Sequence, residues 1–226
     1  MILPLQSDLK PVITGVVFDA LMNDVNAQRV EYRRCQIEPW YWLVNYVWTK
    51  RKDENVESTT VERFPADDYL QFIFDMCFRE KHLAIDKSRQ MRMTWIMMAF
   101  GLYWAEFHEN EEVICQTKKE DIADSELVKR ALFIFEQQPI WMRQSIVANS
   151  FNKLSFQNGS VIRGIPSGGD QIRSYNPTRY LGDECGFLEG EFDECKSAAL
   201  ACCKDVKLFS SAQAGEWEDF INDVAA

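Results

Sequence analysis

The stretch HLAIDKSRQMRMTW, residues 82–95, crowds Lys87, Arg89 and Arg92 into the join between a short apolar run and an apolar helix. A strand that turns directly into a helix leaves unsatisfied N–H groups and a partial positive charge at the helix start, which is where phosphate groups bind. The standard phosphate loop reads G-x-x-x-x-G-K-[ST]. With its hydroxyl residue on Thr94, Lys87 and Arg92 fall on the two glycine positions and Met93 on the lysine position. Three of four signature positions therefore depart. The cation is displaced rather than lost, because Lys87 opens the loop on a flexible stem long enough to reach β/γ-phosphates from the other side. Thr94 keeps a hydroxyl at the first helical turn, where it can bind Mg²⁺. From this segment alone, a solvated basic turn is an equally good reading.

The stretch TRYLGDECGF adds an apolar strand ending in Asp183 and Glu184. In nucleotide hydrolysis the first carboxylate of such a pair holds Mg²⁺, directly or through water, and the second polarises the attacking water. Paired acids also occur as plain helix caps, but with Lys87 and Thr94 upstream they favour hydrolysis. Both carboxylates would sit beside the loop if the two strands are neighbours. Between the motifs, SGGDQIRSYNP puts Arg173 on a glycine-containing polar loop, where a guanidinium can serve as an arginine finger in its own site or a neighbour's. Without the other motifs, an ordinary surface arginine is the simpler reading.

These residues need strands and helices in alternation to position them. From residue 65 the sequence supplies that: PADDYLQFIFDMCFREK has a helix period, HLAID is a strand, and MTWIMMAFGLYWAEF is a helix apolar on nearly every face. EVICQT reads as a strand and KEDIADSELVKRALFIFEQQ as an amphipathic helix stopped by Pro139. KLSFQNGSVIRGI predicts a hairpin with Asn158 and Gly159 in a type I′ turn. TRYLGD and VKLFSS are further strands, separated by a helix over EFDECKSAALACC. The pattern predicts an α/β fold with a mainly parallel central sheet flanked by helices on both faces. Residues 1–60 read as a helical lead-in, with Trp40, Tyr41, Leu43, Val44, Val47 and Trp48 as a packing stripe. The charged stretch KRKDENVESTT is the best linker to a core over 61–226.

The chain has 226 residues, 46% hydrophobic and 27% charged, enough for one medium-sized domain with a real core. Seven cysteines without a signal-like leader indicate reduced thiols in a cytoplasmic setting. Cys185, Cys195, Cys202 and Cys203 lack CxxC spacing and a histidine, so they read as core residues rather than zinc ligands. A net charge of −10 argues against a free-standing nucleic-acid binder, which needs a basic face, so any DNA contact must be local. The first 22 residues contain Asp8 and Lys10 and neither a signal h-region nor a membrane span.

Over residues 35–222 the motifs, in this order, resemble the ATPase domain of a tailed-phage large terminase, the motor that drives DNA into a procapsid. DKSRQMRMTW resembles a deviant phosphate loop with its lysine at the front, TRYLGDE the acidic strand, and KLFSSAQAGEWEDF the coupling segment. CQIEPWYWLVNYVWTK, FPADDYL and NGSVIRGIPSGGDQIRSYNP add support. The resemblance implies a P-loop NTPase of the additional-strand, catalytic-glutamate type, with ATP and Mg²⁺ as ligands. It implies that the loop of Lys87, Ser88, Arg89, Gln90, Met91, Arg92, Met93 and Thr94 binds nucleotide, with Lys87 on the β/γ-phosphates and Arg89 as a nucleotide sensor. Thr94 and Asp183 would hold Mg²⁺, Glu184 would activate water, and Arg173 would reach into a neighbouring subunit. Ser210, Ser211 and Ala212 would report the γ-phosphate state, and adenine would lie near Phe64, Pro65 and Tyr69. Where family loops carry glycine this one has Arg92, which must point away from the phosphates or add charge to them.

The implied partners are double-stranded DNA, a portal protein and a small terminase subunit. The active form would be a homo-oligomeric ring and the isolated chain a monomer. The setting would be the cytoplasm of an infected bacterium, transiently at the procapsid portal, with no membrane partner. The C-terminal nuclease domain of full-length terminases is not expected in this chain, nor is nuclease activity. Two rival readings are a catalytically weak nucleotide-binding assembly module and a helicase-like translocase.

Overall fold

The computed structural model describes residues 23–52, 59–89, 91–117, 123–188 and 190–225. Two helices lead in, α1 (Val25–Ile37) and α2 (Pro39–Tyr46). Asp24 caps the first by accepting from the backbone N–H groups of Asn26 and Ala27. Pro39 opens the second, where its missing N–H costs nothing. Strands β1 (Trp48–Lys52) and β2 (Thr59–Arg63) then pair antiparallel, with Trp48 opposite Arg63 and Thr49 opposite Glu62.

Two expectations change here. Trp48, counted in a helical stripe, opens a strand, because the backbone is already extended at Val47. The charged stretch expected as a linker contributes to both arms of this hairpin, so the division at residue 60 falls within a paired element. Residues 53–58 of that stretch, and residues 1–22 of the lead-in, lie outside the described residues. A charged sequence can form a strand because alternate residues face opposite ways: Thr49 is fully buried while Lys50 is exposed.

The remainder alternates as α3 (Asp68–Arg79), β3 (His82–Lys87), α4 (Met93–Phe107), β4 (Glu112–Gln116), α5 (Ala123–Gln137), β5 (Ile146–Ser150), β6 (Lys153–Phe156) and β7 (Val161–Ile165). It continues with α6 (Gly169–Arg173), β8 (Arg179–Asp183), a 3₁₀ turn at Cys185–Phe187, α7 (Phe192–Cys202), β9 (Asp205–Ser211) and α8 (Glu216–Ala225). Seven strands form one sheet in the order β3-β9-β8-β4-β7-β6-β5. The first five run parallel and the last two pairings are antiparallel. Thus β9 lies between the strand of the basic loop and the acidic strand, which is the additional-strand arrangement. The two site-bearing strands are not neighbours, contrary to the condition set from sequence.

Pleating sends alternate residues of the central strands into separate cores. Val113, Cys115 and Leu181 join α2–α5 in one cluster, while Ile114 and Tyr180 join α7 and α8 in the other. Helix α4 has no wet side: Ile96, Met97, Met98, Ala99 and Phe100 are all inaccessible to solvent. It approaches β8 so closely that a Cβ on Gly101 would lie 2.8 Å from Leu181 Cδ1. All seven cysteines are free; six are buried, as the reading of Cys185, Cys195 and Cys203 as core residues requires, whereas Cys202, at the end of α7, is exposed and departs from it. In the β6–β7 hairpin only Gly159 takes a positive φ, so the expected I′ turn is not formed. Asn158 instead donates to the carbonyls of Ala105 and His108, each at 2.8 Å, finishing α4. No helix among the described residues is long and apolar enough to cross a membrane.

Candidate active site

At the carboxyl edge of the sheet, β3 ends at Lys87, β9 at Ser211 and β8 at Asp183, and the register sets Lys87 beside Ser211. Glu184 follows β8 in a left-handed conformation, φ 52°. A non-glycine residue there is strained, and the contacts its carboxylate makes across the end of β9 hold it in place. Lys87 Nζ donates to Glu184 Oε1 at 2.8 Å. Ser211 supplies two more donors to Glu184 Oε2, its backbone N–H at 3.2 Å and its hydroxyl at 3.0 Å. On the far side of the loop, Thr94 Oγ1 donates to Asp183 Oδ2 at 2.7 Å.

The two carboxyls are tuned in opposite directions. Burial pushes Asp183 up, and the Thr94 hydrogen bond and the Lys87 charge only partly offset it. Burial acts the same way on Glu184, but the hydrogen bonds from Lys87 and from Ser211 outweigh it and hold the carboxyl below its usual value. One acid is therefore kept ionised and able to take a proton. The other has an oxygen, Oδ1, that is buried without a hydrogen-bond partner. An orphaned carboxylate oxygen beside a threonine hydroxyl is the hard-oxygen donor pair that suits Mg²⁺, which takes few protein ligands and completes its shell with water and phosphate. Among the described residues there is no group of three or more His, Cys, Asp or Glu side chains suited to a metal.

The residues named from sequence divide into three groups. Lys87, Thr94, Asp183, Glu184 and Ser211 converge. Ser88 and Arg89 are exposed in the turn, and Gln90 lies outside the described residues. Met93 is buried and Met91 packs against the same core, so these two side chains hold the loop from below. Arg92 turns away from the loop, donating to Glu62 Oε1 at 2.5 Å and Thr49 Oγ1 at 2.9 Å. Of the two options sequence left for it, the geometry takes the first.

The rest stand apart. Tyr69, 41% exposed, lies in the first turn of α3, and Phe64 is buried at the hairpin's end. Arg173 closes α6, paired with Asp170 at 2.9 Å and Glu194 at 3.6 Å, outside the cluster around Lys87. Ser210 is buried; its Oγ accepts the Gly186 N–H at 2.9 Å and donates to the Ser211 carbonyl. Ala212 is exposed just past β9.

Four residues escaped the sequence reading. Thr49 and Glu62 sit on either side of the stretch that read as linker, one in the lead-in and one at the start of the core, with nothing in their spacing to mark them. Gly186 lies so close to the end of β9 that a Cβ would stand 2.9 Å from both Ser210 Oγ and Gln213 Cβ. Trp217 is buried on α8, and its Nε1 donates to Asp86 Oδ1 at 3.1 Å, tying α8 to β3. A lone tryptophan in the acidic run GEWEDF was the available signal.

No protein-family profile and no curated protein matches the sequence. Solved structures do. The bacteriophage HK97 large terminase aligns with a TM-score of 0.61 at 13% identity, over 84% of this chain and 41% of that one. An alanine variant of the Thermus phage P74-26 large terminase ATPase domain aligns with a TM-score of 0.50 at 10% identity, over 70% of each chain. The fold is that of a phage large-terminase ATPase domain. Within this terminase fold the chain spans about two fifths of the length of the HK97 protein.

Proposed function

We propose that this chain is the ATP-hydrolysing motor domain of a phage large terminase, powering translocation of double-stranded DNA into a procapsid. The observation that carries the proposal is the meeting of Lys87, Thr94, Asp183 and Glu184 at one edge of the sheet, at hydrogen-bond distances. Lys87 exchanges its Glu184 partner for the β/γ-phosphates of ATP. Glu184, ionised at neutral pH, orients the attacking water and accepts its proton. Thr94 and Asp183 are the residues that would hold Mg²⁺, which when bound neutralises charge on the phosphate oxygens. As phosphate departs, Lys87 returns to Glu184, and Ser211, hydrogen-bonded to the same carboxylate, senses the exchange.

Arg173 serves a neighbouring subunit. Its side chain, half exposed and paired with the exposed acids Asp170 and Glu194, is available to another copy in a ring. A net charge of −10 fits a subunit that grips DNA through a few local residues of an assembled ring beside a portal protein and a small terminase subunit. The setting is the host cytoplasm.

The test is steady-state ATP hydrolysis with Mg²⁺, comparing wild type, Lys87→Ala and Asp183→Asn across protein concentrations. Both variants lose turnover, and the wild-type rate per subunit rises with concentration. Equal turnover in all three proteins refutes the site, and a concentration-independent rate refutes Arg173 acting between subunits. Nucleotide binding without hydrolysis under assembling conditions selects the assembly module instead.

A further inference from the structure

Arg92 stands where a phosphate loop ordinarily has glycine, and it adopts the backbone conformation that glycine permits: φ 58°, ψ 17°, in the left-handed region. Its carbonyl accepts from the N–H groups of Trp95 and Ile96, so this strained residue starts α4. A side chain in that region carries strain that glycine does not, and such strain persists only where the surroundings fix it. Here the fixing contact is visible. Glu62 and Thr49 are direct cross-strand partners in the β1–β2 hairpin. Together they present two acceptors to one guanidinium, at 2.5 and 2.9 Å. Thr49 is fully buried and the Arg92 and Glu62 side chains are only 20% and 31% exposed, so the contact is sheltered from solvent. The hairpin is outside the main sheet; the Phe64 N–H closes its base by donating to the Val47 carbonyl at 2.9 Å, and the Lys50 ammonium lies 4.2 Å over the Phe133 ring of α5.

We propose that Arg92 is a positioning residue: its ion pair with Glu62 holds the left-handed turn at the mouth of α4 and so aims the first-turn N–H groups at the nucleotide phosphates. This rests on the nucleotide-site reading given above. The hairpin thereby does for this loop what an absent side chain does for a glycine-containing one. Arg92 contributes through its backbone shape and its anchor, not by touching phosphate.

Rescue by glycine separates this role from a purely structural or a phosphate-binding one. Arg92→Ala, Arg92→Gly, Glu62→Ala and the Glu62→Ala/Arg92→Gly double variant are compared for Mg-ATP affinity, for KM against kcat, and for amide hydrogen exchange over residues 91–96 without nucleotide. Arg92→Ala and Glu62→Ala should bind roughly tenfold more weakly, the scale set by left-handed backbone strain. KM should rise with kcat nearly unchanged, and exchange should be faster. Arg92→Gly and the double variant should return affinity and exchange to within about threefold of wild type, because glycine holds the turn without the anchor.

Three results overturn the proposal: Arg92→Gly binding as weakly as Arg92→Ala, tighter binding in Glu62→Ala, or exchange unaffected by Glu62→Ala. If wild type binds no nucleotide, the nucleotide-site reading fails. The exchange pattern then still decides whether the anchor holds the turn.

Discussion

Glu184→Gln should uncouple nucleotide binding from turnover in opposite directions. The substitution keeps the shape of the side chain and removes its charge, which at neutral pH is present because Lys87 and Ser211 hold the carboxyl down. Lys87, with a side chain only 7% exposed, spends that charge on Glu184 at 2.8 Å. A hydrogen bond to a charged group is worth about 1.5–3 kcal/mol. With Glu184 27% exposed, solvent screening reduces the figure to about 1–2 kcal/mol. That contact must be given up before Lys87 meets a phosphate, and in the glutamine variant most of it is already gone. Nucleotide affinity should therefore rise by about 5- to 30-fold, while loss of the base lowers turnover by about 10²- to 10⁴-fold. Calorimetric titration with a non-hydrolysable ATP analogue and single-turnover hydrolysis measure the two effects. Weaker binding by the variant refutes the competition between Glu184 and phosphate for Lys87. Unchanged turnover refutes Glu184 as the base.

Three further outcomes follow from other contacts. Gly186→Ala places a methyl 2.9 Å from Ser210 Oγ and Gln213 Cβ and 3.1 Å from Trp217 Cβ. It should destabilise the chain by about 1–3 kcal/mol in denaturant unfolding, because backbone rather than a flexible side-chain tip must move. Arg173→Ala should shift stability by less than about 0.5 kcal/mol, since its acidic partners are exposed. Its hydrolysis defect should appear only at concentrations where wild-type activity rises. Glu106 is fully buried and burial lifts its carboxyl from 4.5 to about 8, against the opposing hydrogen bond from Gln138. The folded chain thus binds the extra proton between those values. The stability this group contributes is complete below pH about 4.5, declines as pH rises and is exhausted above about 8. Glu106→Gln should flatten the dependence of melting temperature on pH over that window, as followed by circular dichroism, and raise it relative to wild type at the alkaline end.

What the sequence revealed was periodic or charged in a way that has one cheap structural solution. MTWIMMAFGLYWAEF cannot be wet on any side, so it had to become a helix enclosed between sheet and helices. An apolar strand ending in Asp183-Glu184 has to end at a sheet edge. The hidden parts depend on contacts between distant segments. KRKDENVESTT reads as linker by composition, yet its ends belong to two paired strands whose alternation lets the flanking Thr49 and Glu62 meet Arg92 inside while Lys50 stays out. The interposition of β9 could not be read from strand lengths, because parallel order is chosen by packing of crossover helices. Asn158 prefers to serve the end of α4 over supplying a positive φ, a tertiary override of turn preference.

The place of β9 in the sheet has a mechanical corollary. A strand hydrogen-bonded along both edges cannot slide without breaking two ladders at once, so it behaves as a stiff rod clamped between β3 and β8. Residues 212–215 beyond it form no helix or strand, and Gly215 bends with φ 107°. The freedom that the strand lacks is left to those four residues, which lead to α8, whose Trp217 is tied back to β3 through Asp86. Rod, joint and tether close a loop only a few residues long, based at the edge of the sheet where Lys87 and Glu184 meet.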